Sequence, residues 1–299
     1  MKMAMPIKKG FVSFHDYKTW YRIVGNREEP GRLPILCLHG GPGASWDYLE
    51  PLEAIAKTGR RVIFYDQLGG GNSDEPHNPA MYTIDLYVEE IETVRQALGL
   101  ERVHILGQSW GGMLAMEYAL TQPLGLASLI LADTTASMPQ WISETSHLVA
   151  KLPPDVQKTL REHEEASTTD SPEYKEAYRV FSLRHICRID PRPECVTRMA
   201  TKPGDEVYKT MWGLSETKVT GTLKDWNIVS RLYEINVPTL VVGGRYDEAT
   251  PALTETIHRG ISGSDWVIFE NSAHFPHIEE TESYLQVLVQ FLNRIEAQV

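Results

Sequence analysis

Cysteine is scarce in this chain of 299 residues, which has only three. The count is odd, and no two cysteines have the spacing of a metal-ligand pair, which argues against a disulfide framework and a cysteine-based zinc site. We therefore expect Cys37, Cys187 and Cys195 to be reduced, inert thiols. This is the usual state of cysteines in a cytoplasmic protein.

Positive charge and long apolar runs are also lacking. The 29 lysines and arginines are outnumbered by 40 aspartates and glutamates, so the net charge is −11, which argues against a nucleic-acid or acidic-lipid partner. No apolar run approaches the roughly 20 residues of a membrane span. Residues 1–10 contain lysines but neither the apolar segment nor the cleavage site of a secretion signal. We expect a cytoplasmic protein without a membrane partner.

The most informative motif is Gly107-Gln108-Ser109-Trp110-Gly111. A short apolar run precedes it, as expected for a buried strand, and good helix formers follow it. Such a strand-to-helix turn is tight enough to strain its central residue and to require glycine on both sides. The pattern predicts that Ser109 is an exposed nucleophile at the positive end of a helix.

A second glycine-rich stretch, His39-Gly40-Gly41-Pro42-Gly43, follows the apolar run 33–38. Its glycines allow the backbone to pass close to a ligand and to direct an N–H group into a cavity. Next to a nucleophile turn, this predicts an oxyanion hole. We expect the backbone N–H groups of Gly41 and Trp110 to be its two donors.

An acid and a histidine follow in the expected order. Asp247 and His274 each come just after a predicted strand, so Ser109, Asp247 and His274 have the order of nucleophile, acid and base in α/β hydrolases. Carboxyl ends of parallel strands are where such folds place their sites. We assign His274 as the general base and Asp247 as its orienting acid. Asp133, which also follows a strand, is the rival acid.

Other chemistries fit less well. The glycines at 69–71 lack both the Lys-Ser/Thr of a P-loop and the spacing of a dinucleotide fingerprint, so we expect a structural loop under the active site. His274 and His277 could be a metal pair, but Pro276 interrupts any helix between them and no third ligand is evident. We expect no metal and no cofactor.

Strands and helices alternate along most of the chain, which predicts an α/β fold with a mostly parallel central sheet. From about residue 137 the strand patterns disappear, and they return near Pro238. We therefore predict an α/β-hydrolase core at 1–136 and 229–299, interrupted by a helical cap at 137–228.

The sequence resembles one family closely over nearly its whole length. The motifs that carry the resemblance are HGGPG at 39–43, Asp66-Gln67, GQSWGG at 107–112, GTLKDW at 221–226 and Asp247-Glu248. Together they are similar to those of proline iminopeptidases, the serine aminopeptidases of the α/β-hydrolase fold.

The resemblance implies an enzyme that releases N-terminal proline, or a small apolar residue, from short peptides or amino-acid amides. It also implies that Glu216 and Glu248 bind the substrate's α-amino group. Gly40 is expected beside the substrate, and Trp212 and Trp226 are expected to form aromatic walls around it. Two alternatives stay open. One is an amidase, esterase or lactonase without a strict free-amine requirement, and the other is a non-catalytic receptor on this fold.

Overall fold

An eight-stranded sheet runs through the protein, whose computed structural model describes residues 5–298. The spatial order of its strands is β1-β2-β4-β3-β5-β6-β9-β10. These strands are β1 (Ile7–Phe14), β2 (Tyr17–Val24), β3 (Ile35–Leu38), β4 (Val62–Tyr65), β5 (Val103–Gln108), β6 (Leu126–Ala132), β9 (Thr239–Gly244) and β10 (Asp265–Phe269).

The sheet is antiparallel at one edge and parallel elsewhere. β1 pairs with β2, and β2 with β4, in antiparallel register, whereas β4, β3, β5, β6, β9 and β10 run parallel. All residues of β3, β4 and β5 are buried, as expected for parallel strands covered by helices on both faces. The predicted α/β-hydrolase architecture, with its mostly parallel central sheet, is confirmed.

Helices cover both faces of the sheet, and several more lie between β6 and β9. They are α1 (Ile84–Ala97), α2 (Trp110–Leu120), α3 (Met138–Val149), α4 (Pro154–Ala166), α5 (Pro172–His185), α6 (Glu194–Met199), α7 (Asp205–Met211), α8 (Pro251–Gly260), α9 (Pro276–Glu279) and α10 (Thr281–Glu296). Among the described residues, no helix is long and apolar enough to cross a membrane.

The segment between β6 and β9 holds helices α3 to α7 and is not entirely helical, contrary to expectation. Gly213–Ser215 (β7) and Lys218–Val219 (β8) form a small antiparallel sheet. Too few residues take part to produce a recognisable strand pattern. Ser137 and Asn227 meet in an isolated β-bridge, so the two ends of the segment lie side by side. The division at 137–228 into core and cap stays a prediction that this bridge supports.

Candidate active site

Ser109 lies at a strained turn between β5 and α2. Its φ of 57° and ψ of −123° are unusual for a residue with a side chain. A Cβ atom on Gly107 would come within 2.1 Å of the Gly111 carbonyl oxygen, and one on Gly111 within 2.2 Å of that of Leu38. The flanking glycines are therefore required by the backbone, and the turn has the geometry of a nucleophile elbow.

A hydrogen-bonded chain joins the glycine loop, the elbow and the histidine loop. The Gly40 N–H donates to the Tyr48 hydroxyl at 2.6 Å, and this hydroxyl donates to Gln108 Oε1 at 2.5 Å. The Gln108 amide in turn donates to the carbonyl oxygen of His274 at 3.0 Å. Sequence reasoning missed the roles of Tyr48 and Gln108, although Gln108 directly precedes the nucleophile.

Gln67 of the Asp66-Gln67 motif bonds to both the glycine loop and the nucleophile turn. Its amide donates to the His39 carbonyl oxygen at 2.9 Å, and its Oε1 accepts the Trp110 indole N–H at 2.7 Å. Its backbone N–H donates to His39 Nε2 at 2.9 Å, and burial lowers the pKa of this histidine to about 4. Gln67 thus fixes the glycine loop against the elbow, and His39 is a neutral structural histidine.

The two expected oxyanion donors lie at suitable places. Trp110 is the first residue of α2, where backbone N–H groups have no acceptor within the helix. Gly41 borders the same cavity as Ser109, with a φ of 113° that favours glycine. The N–H of Gly40 is already bonded to Tyr48, which leaves Gly40 the role of a close neighbour: a Cβ there would lie 3.0 Å from the Ser109 Cβ.

Asp247 contacts His274, and Asp133 does not. His274 Nδ1 lies 2.6 Å from Asp247 Oδ1, which also accepts the Ala249 N–H at 2.9 Å. Asp133 Oδ1 instead accepts the backbone N–H of Gly244 at 3.2 Å. Ser109 and His274 border a common cavity of about 290 Å³, although within residues 5–298 no hydrogen bond joins Ser109 Oγ to the imidazole. Such bonds often tighten only when substrate binds.

His277 does not share a site with His274. It is buried, its Nε2 lies 3.1 Å from the Tyr48 carbonyl oxygen, and burial lowers its pKa to about 3. No group of three or more potential metal ligands is found in the part of the chain that the structure describes.

Glu216 and Glu248 both border the cavity, one from the β7–β8 connection and the other directly after Asp247. Glu248 is buried, with Oε1 3.9 Å from His274 Nε2. Burial raises the pKa of Glu216 to about 7, and burial together with the nearby Glu216 and Asp247 carboxylates raises that of Glu248 well above its usual range. Among the described residues, neither glutamate pairs with a lysine or arginine.

The prediction that Trp212 and Trp226 form aromatic walls around the substrate is wrong. Trp212 is buried edge-on against Trp141, with ring centroids 5.2 Å apart, and Trp226 donates its indole N–H to Glu117 Oε1 at 2.6 Å. Neither borders the cavity, whose aromatic lining consists of Tyr48, Tyr178, Tyr208 and Phe275. The sequence shows which residues lie in the insertion but not which way their side chains point, because that depends on packing between helices.

The end of α5 is tied directly to the catalytic loops. The Glu248 N–H donates to the His185 carbonyl oxygen at 3.0 Å, and the His274 N–H donates to that of Ile186 at 3.1 Å. His185 Nδ1 also lies 2.8 Å from the Tyr246 carbonyl oxygen. The insertion therefore contributes to the position of both loops as well as to the cavity wall.

Comparisons with known proteins agree with this geometry. The family model described as "alpha/beta hydrolase fold" matches residues 34–281. The chain is 44% identical over 272 residues to a proline iminopeptidase of Heyndrickxia coagulans, covering 90% of this chain and 93% of that one. It belongs to the proline iminopeptidase family.

Two solved structures are similar to this family member over nearly the whole chain. The crystal structure of a proline iminopeptidase from Mycobacterium smegmatis is 38% identical, with a TM-score of 0.89, covering 97% of this chain and 99% of that one. The crystal structure of a protein named VinJ is 40% identical, with a TM-score of 0.93 and coverage of 96% and 99%. The similarity therefore includes the insertion as well as the core.

Proposed function

We propose that the protein is a serine aminopeptidase that releases an N-terminal residue, foremost proline, from short peptides or amino-acid amides. The observation that carries the proposal is the pair Glu216 and Glu248, which line the cavity of Ser109 and His274 and which, among the described residues, pair with no lysine or arginine. Glu248 has a basic neighbour in His274, whose Nε2 lies 3.9 Å from Glu248 Oε1. Unpaired carboxylates in a desolvated site are costly, and a substrate ammonium group would stabilise them.

In the proposed reaction, Ser109 Oγ attacks the carbonyl carbon of the substrate's N-terminal residue, and His274 takes the serine proton. Asp247 holds the imidazole through Nδ1 and stabilises the imidazolium. The N–H groups of Trp110 and Gly41 stabilise the oxyanion, at about 3–4 kcal/mol per donor. His274 then protonates the leaving amine, and water hydrolyses the acyl-enzyme by the reverse sequence of proton transfers.

The relatives from Heyndrickxia coagulans and Mycobacterium smegmatis, both called proline iminopeptidases, support proline as the released residue. The cavity, at about 290 Å³, is at the small end of the range for ligand sites, which favours short substrates. Its aromatic and apolar lining, including Tyr178, Tyr208 and Phe275, suits a pyrrolidine ring. An esterase or lactonase for uncharged substrates would have no use for the two glutamates.

The glutamates provide the test. Glu216→Gln and Glu248→Gln should each lower kcat/KM for a prolyl anilide by about 10² or more, because the charge-assisted contact to the ammonium is lost. Hydrolysis of a simple ester without an amine should change little. Glu206→Gln is the matched control, since Glu206 lies in the same insertion but bonds to Tyr82 outside the cavity, and it should be silent on both substrates. Equal losses on ester and anilide would contradict an amine-binding role.

Substrate binding should depend on pH in a direction that the glutamates determine. The pKa of Glu216 is raised to about 7 and that of Glu248 is raised as well, so lowering the pH through about 7 protonates Glu216 and removes charge that holds an ammonium. The inhibitor for this test is an aliphatic amine that stays protonated throughout the pH range. Its Ki should rise roughly tenfold per pH unit below about pH 7 for each carboxylate that takes up a proton. A Ki independent of pH between 5 and 8 would show that the inhibitor does not contact these carboxylates.

A further inference from the structure

A second buried carboxyl lies next to the proposed catalytic acid. Asp133 directly follows β6 and Asp247 follows β9, and these strands are parallel neighbours. The Asp133 N–H donates to the Val242 carbonyl oxygen at 2.9 Å, and the Gly244 N–H donates to Asp133 Oδ1. The two side chains therefore meet at the same edge of the sheet, and the charge of Asp247 acts on Asp133.

One oxygen of each carboxyl lacks a hydrogen-bond partner unless a proton lies between the two groups. Asp247 Oδ1 has its donors in His274 and Ala249. Asp247 Oδ2 and Asp133 Oδ2 are both buried and find no donor among the described residues. Two ionised carboxylates only accept hydrogen bonds and repel each other, whereas a neutral carboxyl donates to its neighbour.

The surroundings decide which of the two carries the proton. Asp247 Oδ1 already accepts from two partners, with His274 Nδ1 at 2.6 Å and the Ala249 N–H at 2.9 Å. Asp247, Glu279, Tyr48 and Tyr284 are near enough to Asp133 to interact with it electrostatically, and none of these four groups is a cation. Burial and the nearby Asp247 charge raise the pKa of Asp133 well above its usual range. The proton therefore belongs to Asp133.

We infer that Asp133 is a positioning residue, a neutral carboxylic acid that donates its proton to Asp247 Oδ2 and so fixes the plane in which Asp247 Oδ1 meets His274. The inference rests on the proposed triad. Asp133 does not touch the substrate, and its effect reaches the reaction through Asp247 and the imidazole. An amide in its place would keep both hydrogen bonds, donating to Asp247 and accepting from Gly244.

The choice of variants follows from the backbone. Asp133 has a φ of 52°, which asparagine and glycine tolerate and alanine or leucine do not. Asp133→Asn keeps the donor, and Asp133→Gly removes it without backbone strain. On a simple ester, Asp133→Gly should lower kcat about 10–100-fold with little change in KM, as is typical when the group that orients a catalytic ligand is lost. Asp133→Asn should restore most of that kcat.

Two further measurements separate positioning from a purely structural role. The infrared difference spectrum between the wild type and Asp133→Asn should contain the carbonyl band of a neutral carboxyl at neutral pH. The difference isolates Asp133, because other buried carboxyls such as Glu248 are present in both proteins. The ester activity of the wild type should also decline at high pH, where Asp133 ionises, and this decline should be weaker in Asp133→Asn.

Several results would overturn the inference. If Asp133→Asn loses as much kcat as Asp133→Gly, the residue acts as an anion. If Asp133→Gly keeps the wild-type kcat and only its melting temperature falls, the role is structural. If the wild-type and Asp133→Asn infrared spectra do not differ in the carboxyl region, Asp133 is ionised. Because these assays use an ester, they are independent of whether the enzyme requires a free amine.

Discussion

Ser109→Ala should fold normally and lose at least about three decades of kcat on every substrate, because removing the nucleophile of a triad leaves only the binding and oxyanion contributions. Serine and alanine both carry a Cβ atom, so the substitution leaves the backbone strain of this turn unchanged. The measurement is kcat for a prolyl anilide, with the melting temperature as the check on folding.

Covalent labelling adds a second readout for the nucleophile. A fluorophosphonate should label the wild type at Ser109 and leave Ser109→Ala unlabelled. Ser146→Ala is a suitable control, because this hydroxyl lies on the exposed face of α3 and donates to the Ile142 carbonyl oxygen, so activity should be unchanged. Near-wild-type turnover by Ser109→Ala would contradict the elbow as the site of chemistry.

Asp247→Asn should be the most damaging change at the acid position, costing up to about 10⁴ in kcat. An amide that donates toward His274 Nδ1 favours the imidazole tautomer with its proton on the nitrogen that must accept the serine proton. The overall fold should persist, since asparagine has nearly the same shape. The comparison is kcat for Asp247→Asn against Asp133→Asn on the same substrate.

The two aspartates should differ by at least two decades. Asp133 touches no imidazole nitrogen, and its amide variant keeps both of its hydrogen bonds. A larger loss of kcat for Asp133→Asn than for Asp247→Asn would mean that Asp133, and not Asp247, is the catalytic acid.

The predictable part of the site is the part that local sequence determines. The turn at Ser109 is specified by its own flanking glycines, and Asp247 and His274 lie in the loops after β9 and β10, strands whose patterns are visible in the sequence. The choice between Asp133 and Asp247 was harder, because both follow strands. Only the three-dimensional arrangement of β6, β9 and β10 shows which carboxylate reaches the histidine.

Residues that act across the fold could not be predicted from sequence patterns. The contact of Trp226 with Glu117 joins the insertion to α2, and the link from Tyr48 through Gln108 to His274 joins three distant segments. The resemblance pointed to Glu216 and Glu248, and their common position in the cavity agrees with the role it implied for them. Their binding role itself stays a prediction.

One comparison on the wild-type enzyme tests the central claim most directly: kcat/KM for a prolyl anilide against that for its N-acetylated form. An enzyme that binds the α-ammonium through Glu216 and Glu248 should prefer the free amine by about 10² or more, because the acetylated substrate leaves both carboxylates without a partner. Equal hydrolysis of the two substrates would contradict the aminopeptidase and favour an esterase or general amidase on the same fold.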